Sequence, residues 1–195
     1  MKKRINKIRL IIVSSILAFS SCGIFSLHPL YYKKDLIIKP EIVGTWKKKG
    51  DINSYIMIDT VDQNFQFTRI SNNDTIGFAM GLLMLNDQYF IDILPTSISG
   101  LDMFDLMRNN FIPTHTFMKI DFTEDQILIT EFDNDRLETL FKENKIRLAH
   151  EFPWKTDKYS GEVVITASTN ELQKFIARYA NEANAFKTPI KYERF

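Results

Sequence analysis

The sequence predicts a single α+β domain that is mainly antiparallel β, with an amphipathic helix near its C-terminus. Three observations lead to this fold class. From about Glu41 onward, apolar and polar residues alternate with a period of two, as in strands that bury one face. Short clusters of Asn, Asp and Gln separate these segments, and they are too short for the crossover connections that parallel strands need. Residues 170–183 instead carry apolar side chains at helical spacing.

The strand predictions follow the chain from turn to turn. Segments rich in β-branched and aromatic residues end at turn residues such as Asp62-Gln63-Asn64 and Asn86-Asp87-Gln88. Gly77 and Gly81 lie within one apolar segment and predict a bulge or a close approach of another part of the chain. After a first strand that begins at Gly44, the predicted strands are 54–59, 65–70, 75–85, 89–94, 115–122, 126–132, 145–150 and 162–167. This spacing indicates an antiparallel barrel, a curved sheet or a sandwich.

Three helices are predicted, two of them inside the strand pattern. Ser168 and Glu171 form a capping box in front of the C-terminal helix, whose apolar stripe must pack on the sheet. Ser99 and Asp102 have the same spacing at the start of the first helix. The predicted helices are 101–110, 133–143 and 170–183.

The N-terminus has the pattern of a secretory signal. The first 21 residues carry five basic residues and no acidic one, and the apolar run Leu10–Phe19 follows the basic part. This run is shorter than the roughly 20 residues that span a bilayer, so an uncleaved membrane anchor is disfavoured.

The segment Phe19-Ser20-Ser21-Cys22 resembles the lipobox of bacterial lipoproteins, although Phe19 stands where Leu, Val or Ile is usual. The resemblance implies cleavage before Cys22 and a covalent lipid on its thiol, with no other cofactor. Gly23 in place of Asp resembles the sorting signal for the outer membrane, and the absence of an acidic cluster after Cys22 favours its periplasmic face. The alternative is an ordinary signal peptide with a cysteine beside its cleavage site.

The expected organisation is therefore a signal peptide at 1–21, a lipidated cysteine and tether at 22–40, and one β-rich domain at 41–195. From Cys22 onward, 20 basic residues face 24 acidic ones, which disfavours nucleic acid as a partner. One cysteine excludes a disulfide framework and a cysteine-based zinc site.

Gly44-Thr45-Trp46 at the start of the first strand resembles the Gly-x-Trp motif of lipocalins. The resemblance implies a β-barrel that Trp46 plugs at one end and that apolar ligands enter at the other. The simpler alternative is that Trp46 is a core residue of a first strand. The tether, residues 40–46, His115-Thr116-Phe117 and residues 166–172 are together similar to small bacterial lipoproteins. This likeness implies a shared fold and location, but no activity.

Three function classes remain open. The first is binding of an apolar small molecule inside the barrel, and the second is an accessory or scaffolding role in which the protein binds another envelope protein. The third, an enzyme that uses Ser, His and Asp residues scattered along the sequence, is supported by no motif, so a non-catalytic protein is expected. No catalytic motif is found, and His115 and His150 lack the spacing that predicts a metal site. The residues expected to line an apolar site are Trp46, Tyr55, Met57, Phe65, Phe67, Phe78 and Phe117.

Overall fold

Eight antiparallel strands close into a β-barrel in the computed structural model, which describes residues 24–51, 53–72, 74–98, 112–153 and 162–195. The predicted signal peptide, Cys22 and the predicted helix 101–110 lie outside these residues. The strands are β1 (Ile24–Ser26), β2 (Gly44–Lys48), β3 (Ser54–Val61), β4 (Asn64–Ser71), β5 (Asp74–Leu85), β6 (Gln88–Ile98), β7 (His115–Phe122), β8 (Gln126–Glu131), β9 (His150–Glu151), β10 (Val164–Ile165) and β11 (Ile190–Arg194).

The barrel is a meander that the last strand completes. Strands β2 to β8 pair with their neighbours in chain order, and all of these pairs are antiparallel. β11 then inserts between β8 and β2 and closes the circle. Outside the barrel, β1 pairs with β7 and in parallel with β10, and β9 pairs with β10. The prediction of a mainly antiparallel β fold is therefore confirmed.

Two apolar cores lie on either side of the barrel wall. The inner core fills the barrel, and the outer core lies between the wall and the segments that cover it. In β5, Leu82 belongs to the inner core and Leu83 to the outer one, and in β6 Ile91 and Phe90 divide in the same way. Because successive side chains of a strand point to opposite faces, a wall covered on both sides needs a nearly continuous apolar sequence.

Two α-helices are seen among the described residues, α1 (Asn134–Lys142) and α2 (Thr169–Tyr179). They confirm two of the predicted helices within a few residues at each end. The Asp133 carboxylate accepts the Arg136 N–H at the start of α1, and Glu171 accepts the Ser168 N–H in the predicted capping box of α2. Neither helix combines the length and the apolar character that a bilayer crossing requires.

Two strand predictions differ from the structure, and two strands, β1 and β11, were not predicted. Residues 145–149 form no strand, because α1 ends at Lys142, Asn144 turns the chain with a φ of 55°, and Leu148 then packs singly into the outer core. Only Val164–Ile165 of the predicted strand 162–167 is extended in the sheet. β11 was not predicted, because Lys191, Glu193 and Arg194 surround Tyr192 and make the segment polar.

The segment expected to be a tether packs on the barrel from residue 24 onward. Leu30 is fully buried in the outer core, and the Ile37 N–H donates to the Leu82 carbonyl at 2.9 Å. On the other side, α2 holds the segment through hydrogen bonds from Thr169 to the Pro29 carbonyl and from Gln173 to the Leu30 carbonyl. Isolated residues such as Leu30 hold this segment on the barrel, so its sequence shows neither the strand nor the helix period of apolar residues.

The two glycines of β5 play the predicted roles. The pairing of β5 with β6 shifts register between Gly77 and Phe78, which is a bulge. At Gly81 the Tyr31 ring crosses the strand so closely that a Cβ atom would lie 2.6 Å from Cε1 of Tyr31. The absence of a side chain at Gly81 therefore lets the N-terminal segment lie against the wall.

Candidate functional site

The barrel interior is filled by side chains from all eight of its strands and from the segment before β2. Isoleucines from opposite walls meet phenylalanine, methionine and tryptophan side chains there. The buried members of this inner core are Ile42, Trp46, Ile56, Ile58, Phe65, Phe67, Met80, Leu82, Ile91, Ile93, Met118, Ile120, Ile127, Ile129 and Tyr192.

One end of the barrel, called here the sealed end, is closed by Trp46 and Arg194. Trp46 is fully buried, and its indole N–H donates to the Ile42 carbonyl at 2.8 Å. The Arg194 guanidinium lies 4.0 Å from the centre of the Trp46 ring, within the range of a cation–π contact. Its N–H groups donate to the carbonyls of Glu41, Val43 and Glu124, so they join the segment before β2 to the β7–β8 turn.

Gly44 is required by this closure. Its φ is +140°, a conformation that side-chain-bearing residues rarely adopt, and a Cβ atom there would lie 2.7 Å from Nη1 of Arg194. The Gly-x-Trp motif therefore has a structural explanation in this chain. The glycine makes room for the arginine, and the arginine covers the tryptophan.

The opposite end, called here the distal end, is lined by polar and charged residues. Arg69 follows Phe65 and Phe67 along the inward face of β4 and pairs in register with Ile56. Burial raises the pKa of Tyr192, and so do the charges of Glu131 and Asp51, whereas Arg69 lowers it. The Ser54 hydroxyl donates to Asp51 at 2.7 Å and lies 3.2 Å from the Ser71 hydroxyl. Charges of both signs thus surround the distal end.

The seven residues expected to line an apolar site are divided between the two sides of the wall. Trp46, Phe65 and Phe67 are buried in the interior, and Phe78 packs against them with its ring centre 5.8 Å from that of Phe67. Tyr55 and Met57 alternate with the inner-core residues Ile56 and Ile58, so they lie on the outer face of β3.

Phe117 also lies outside the barrel. It is fully buried in the outer core, whereas the next residue, Met118, belongs to the inner core. The strand period decides both placements. The expectation that Tyr55, Met57 and Phe117 line the interior is therefore corrected, because the sequence shows alternation without showing which phase faces inward.

A buried carboxylate lies under the N-terminal segment on the outer face of the wall. Asp92 is 1% exposed, and its two oxygens contact Nδ1 of His115 and the backbone N–H of Leu30, each at 2.6 Å. Burial raises the pKa of Asp92, although its hydrogen bonds with His115 and Leu30 and the charge of His115 act in the opposite direction. Burial also raises the pKa of Tyr31, and the charge of Asp92 adds to this effect.

Ser26 completes the residue types of a hydrolase triad, but its hydrogen bonds are those of a structural group. Ser26 is the cross-strand partner of His115, which in turn contacts Asp92. The Ser26 hydroxyl is fully buried, donates to the His28 carbonyl at 2.8 Å and accepts the His28 N–H at 3.1 Å. A nucleophile needs a free path to substrate and a hydrogen bond to its base. This arrangement instead fixes the turn after β1.

The histidines do not come together. His150 lies in the same row of the sheet as His115 but three strands farther out, beyond Ser26 and Ile165. Its Nδ1 contacts the Leu148 carbonyl, and its ring packs against Phe141. Within the described ranges, no three His, Cys, Asp or Glu residues gather as metal ligands.

A shallow polar hollow of about 440 Å³ lies on the outside of the barrel near the sealed end. It is open to solvent, and polar or charged residues of the β7–β8 turn, β8 and β11 line it. They are Thr123, Asp125, Gln126, Lys191, Glu193 and Arg194. Enclosure by apolar groups, which small-molecule sites generally have, is missing from this hollow.

Two residues that organise the molecule are absent from the sequence predictions, Asp92 and Arg194. Asp92 interrupts the apolar run of β6, and a lone charge within such a run is a signal of a paired buried group. Arg194 carries no such signal, because its partners are backbone carbonyls more than 60 residues away in sequence.

Comparison with known proteins assigns the chain to no family, since no family model, curated protein or solved structure matches it.

Proposed function

We propose that the protein is a non-catalytic lipoprotein, anchored through Cys22 to the periplasmic face of the outer membrane, whose lipocalin-like barrel binds an apolar small molecule. The observation that supports binding is the difference between the two barrel ends. Trp46 and Arg194 close the sealed end with four hydrogen bonds to backbone carbonyls. A ligand would therefore enter through the distal end.

The interior residues are suited to admit a ligand by moving. Met80 and Met118 are both in the inner core, and unbranched methionine side chains adapt easily to a new neighbour. Phe78 is only half-buried, next to the bulge in β5, and its ring makes an edge contact with the Phe67 ring of the inner core. A ligand would replace this contact by its own apolar surface.

The lipid anchor is supported by the sequence alone, through the basic segment, the short apolar run and the residues before Cys22. The non-catalytic role is supported by the hydrogen bond of the Ser26 hydroxyl to the His28 carbonyl and by the fully buried position of that hydroxyl. Both remain part of the proposal.

Native mass spectrometry tests the ligand. Residues 24–195, which retain β1, would be exported to the bacterial periplasm and purified without detergent. We expect a discrete small-molecule adduct that organic solvent releases. Phe78→Ala should lower the adduct fraction several-fold, whereas Met84→Ala, at an exposed position of the same strand, should not. A bare protein, or equal loss in both variants, would argue against binding in the barrel.

A second candidate function is that of an accessory protein that binds another envelope protein. The burial of the interior favours it, because the buried residues of the inner core are at most 9% exposed. In vivo photo-crosslinking of the full chain distinguishes the two. A single heavier product that persists across several surface positions supports a protein partner, and the monomer alone opposes it.

A further inference from the structure

The anchor and the folded domain are separated by almost no chain. β1 begins at Ile24, which pairs in register with Phe117 of β7. Cys22 is two residues earlier, so an extended chain places it within about 7 Å of Ile24. A lipid on Cys22 would therefore hold the domain directly at the membrane surface, without the tether that the sequence suggested.

The chain that follows β1 exposes apolar and basic side chains together. Residues 24–39, called here the N-terminal strip, leave Leu27, Tyr32 and Ile38 between 42% and 44% exposed. Lys33 and Lys34 are exposed beside them, and Nζ of Lys34 lies 5.6 Å from the centre of the Tyr32 ring. Tyrosine rings and lysines are the side chains that favour the headgroup layer of a bilayer.

Charge also distinguishes the strip from the rest of the domain. The strip carries three lysines and one aspartate, whereas residues 40–195 carry 17 basic and 23 acidic residues. The strip's aspartate, Asp35, faces the protein, because its carboxylate accepts the Tyr32 N–H and a Gln173 N–H. Hydrogen bonds to its carboxylate and the nearby Lys34 lower the pKa of Asp35, although its burial acts in the opposite direction. An anionic surface would attract the strip and repel the remainder of the domain.

We propose that the N-terminal strip lies flat on the anionic phospholipid headgroups of the membrane that carries the Cys22 lipid. This proposal rests on the proposed lipidation of Cys22. The strip is joined to the barrel by the hydrogen bonds of Leu30 with Asp92 and of Ile37 with Leu82, and to α2 by the hydrogen bond of Pro29 with Thr169. Docking of the strip therefore sets the orientation of the whole barrel on the membrane.

The lipid on Cys22 provides a clean labelling strategy, because a lipidated thiol is blocked and a new cysteine becomes the sole free thiol of the chain. Ile38→Cys is the reporter. It is an exposed residue of the strip, and its neighbour Ile37 is hydrogen-bonded to Leu82 of β5. Glu193→Cys is the matched control, because it is exposed on β11, four strands from β5 in either direction around the barrel. Both variants of the full-length lipidated protein would carry the same dye in phosphatidylethanolamine vesicles with a minority of phosphatidylglycerol.

Nitroxide lipids labelled at the headgroup should quench the dye at position 38 several-fold more than the dye at position 193. The double variant Lys33→Glu with Lys34→Glu, which retains the lipid, should bring the two values close together. Equal quenching at both positions in the otherwise unchanged protein would overturn the docking alone. One dye bound to the unsubstituted protein would show that Cys22 is free, which overturns the lipid anchor and the docking that rests on it.

Discussion

The two cores on either side of the barrel wall differ in composition and in origin. The inner core is built mainly from isoleucines on alternating strand positions, with Trp46 at one end. The outer core gathers phenylalanine and tyrosine rings from β6, the segment after β8 and α2, and Phe90, Phe132 and Tyr179 stack in one series. Branched aliphatic side chains suit the regular space inside a sheet, whereas flat rings fill the uneven gap beneath a helix.

The cores differ also in their tolerance of charge. The outer core contains Asp92 at 1% exposure, whereas charged residues meet the inner core only at its two ends, Arg194 at the sealed end and Arg69 at the distal end. The buried carboxylate fastens the N-terminal segment, which has few backbone partners of its own. A strand inside the barrel needs no such fastening, because its neighbours satisfy its backbone groups. In the N-terminal segment, the paired Asp92 carboxylate thus takes the place of the regular backbone hydrogen bonds that hold a barrel strand.

The largest expected effect is at the sealed end of the inner core. Trp46→Ala removes a fully buried ring and leaves the Arg194 guanidinium without its partner, so we expect a loss of about 4 kcal/mol in the free energy of unfolding. Urea denaturation measures it. Phe195→Ala, at 83% exposure, is the control and should change stability by less than about 0.5 kcal/mol. A similar small loss for Trp46→Ala would show that the sealed end is not part of the core.

The buried charge of the outer core should come next. Asp92→Ala leaves the Leu30 N–H and His115 without their acceptor, so we expect a loss of about 3 kcal/mol. Asp92→Asn keeps an oxygen for Leu30 and should cost less. Hydrogen exchange of the Leu30 amide would show whether the N-terminal segment detaches. An unchanged exchange rate in Asp92→Ala would contradict the fastening role.

The pH dependence of stability follows from the raised pKa of Asp92. Burial raises this pKa above 3.8, so the folded state holds the proton more tightly than the unfolded state. The stability from this group is therefore fully present below pH 3.8 and is lost as the pH rises through the raised value. Relative to Asp92→Asn, the unchanged protein should lose stability over that window. A difference that stays constant with pH would contradict the raised pKa.

The contact across the wall at Gly81 should have a moderate effect. Gly81→Ala places a methyl group 2.6 Å from Cε1 of Tyr31 and 2.9 Å from Cδ2 of Leu36, so we expect a loss of about 2 kcal/mol. Combining it with Tyr31→Ala should recover part of that loss, because the nearest ring is removed. Strictly additive losses in the double variant would show that the two residues do not interact.

The smallest expected effect is at the start of α2. Ser168→Ala removes the side-chain hydrogen bond of the capping box, and about 1 kcal/mol of stability should be lost. Helix content from circular dichroism and thermal unfolding would both record it. Ser168→Asn keeps a capping oxygen and serves as the conservative control. Equal losses in the two variants would show that the cap hydrogen bond contributes nothing.

Local patterns predicted the secondary structure well where each element depends on its own residues. The capping box of α2, the turn residues between β3 and β4, and the bulge beside Gly77 all match the sequence. The phase of the alternation was not predictable. Tyr55 and Ile56 both suit a strand, and only the neighbours on each side of the sheet decide that Ile56 faces inward.

The candidate site was predicted in part for the same reason. Trp46, Phe65 and Phe67 were placed correctly in the interior because they are on strands whose outer face is polar. Phe117 and Met118 are large apolar neighbours on β7, so alternation alone did not show which of the two faces inward. Ser26, Asp92 and His115 come from three separate segments, and no local pattern joins them.

The sequence by itself determined that β2 to β8 are extended, where the glycines allow close approach, and that α2 needs an apolar surface to cover. The tertiary structure alone decided that β11 closes the barrel, that residues 24–42 pack on its wall, and that Arg194 covers Trp46. The physical reason is the distance along the sequence over which each interaction acts. Propensity, capping and turn geometry depend on residues within a few positions, whereas barrel closure depends on strand partners distant in sequence and on which faces the whole chain buries.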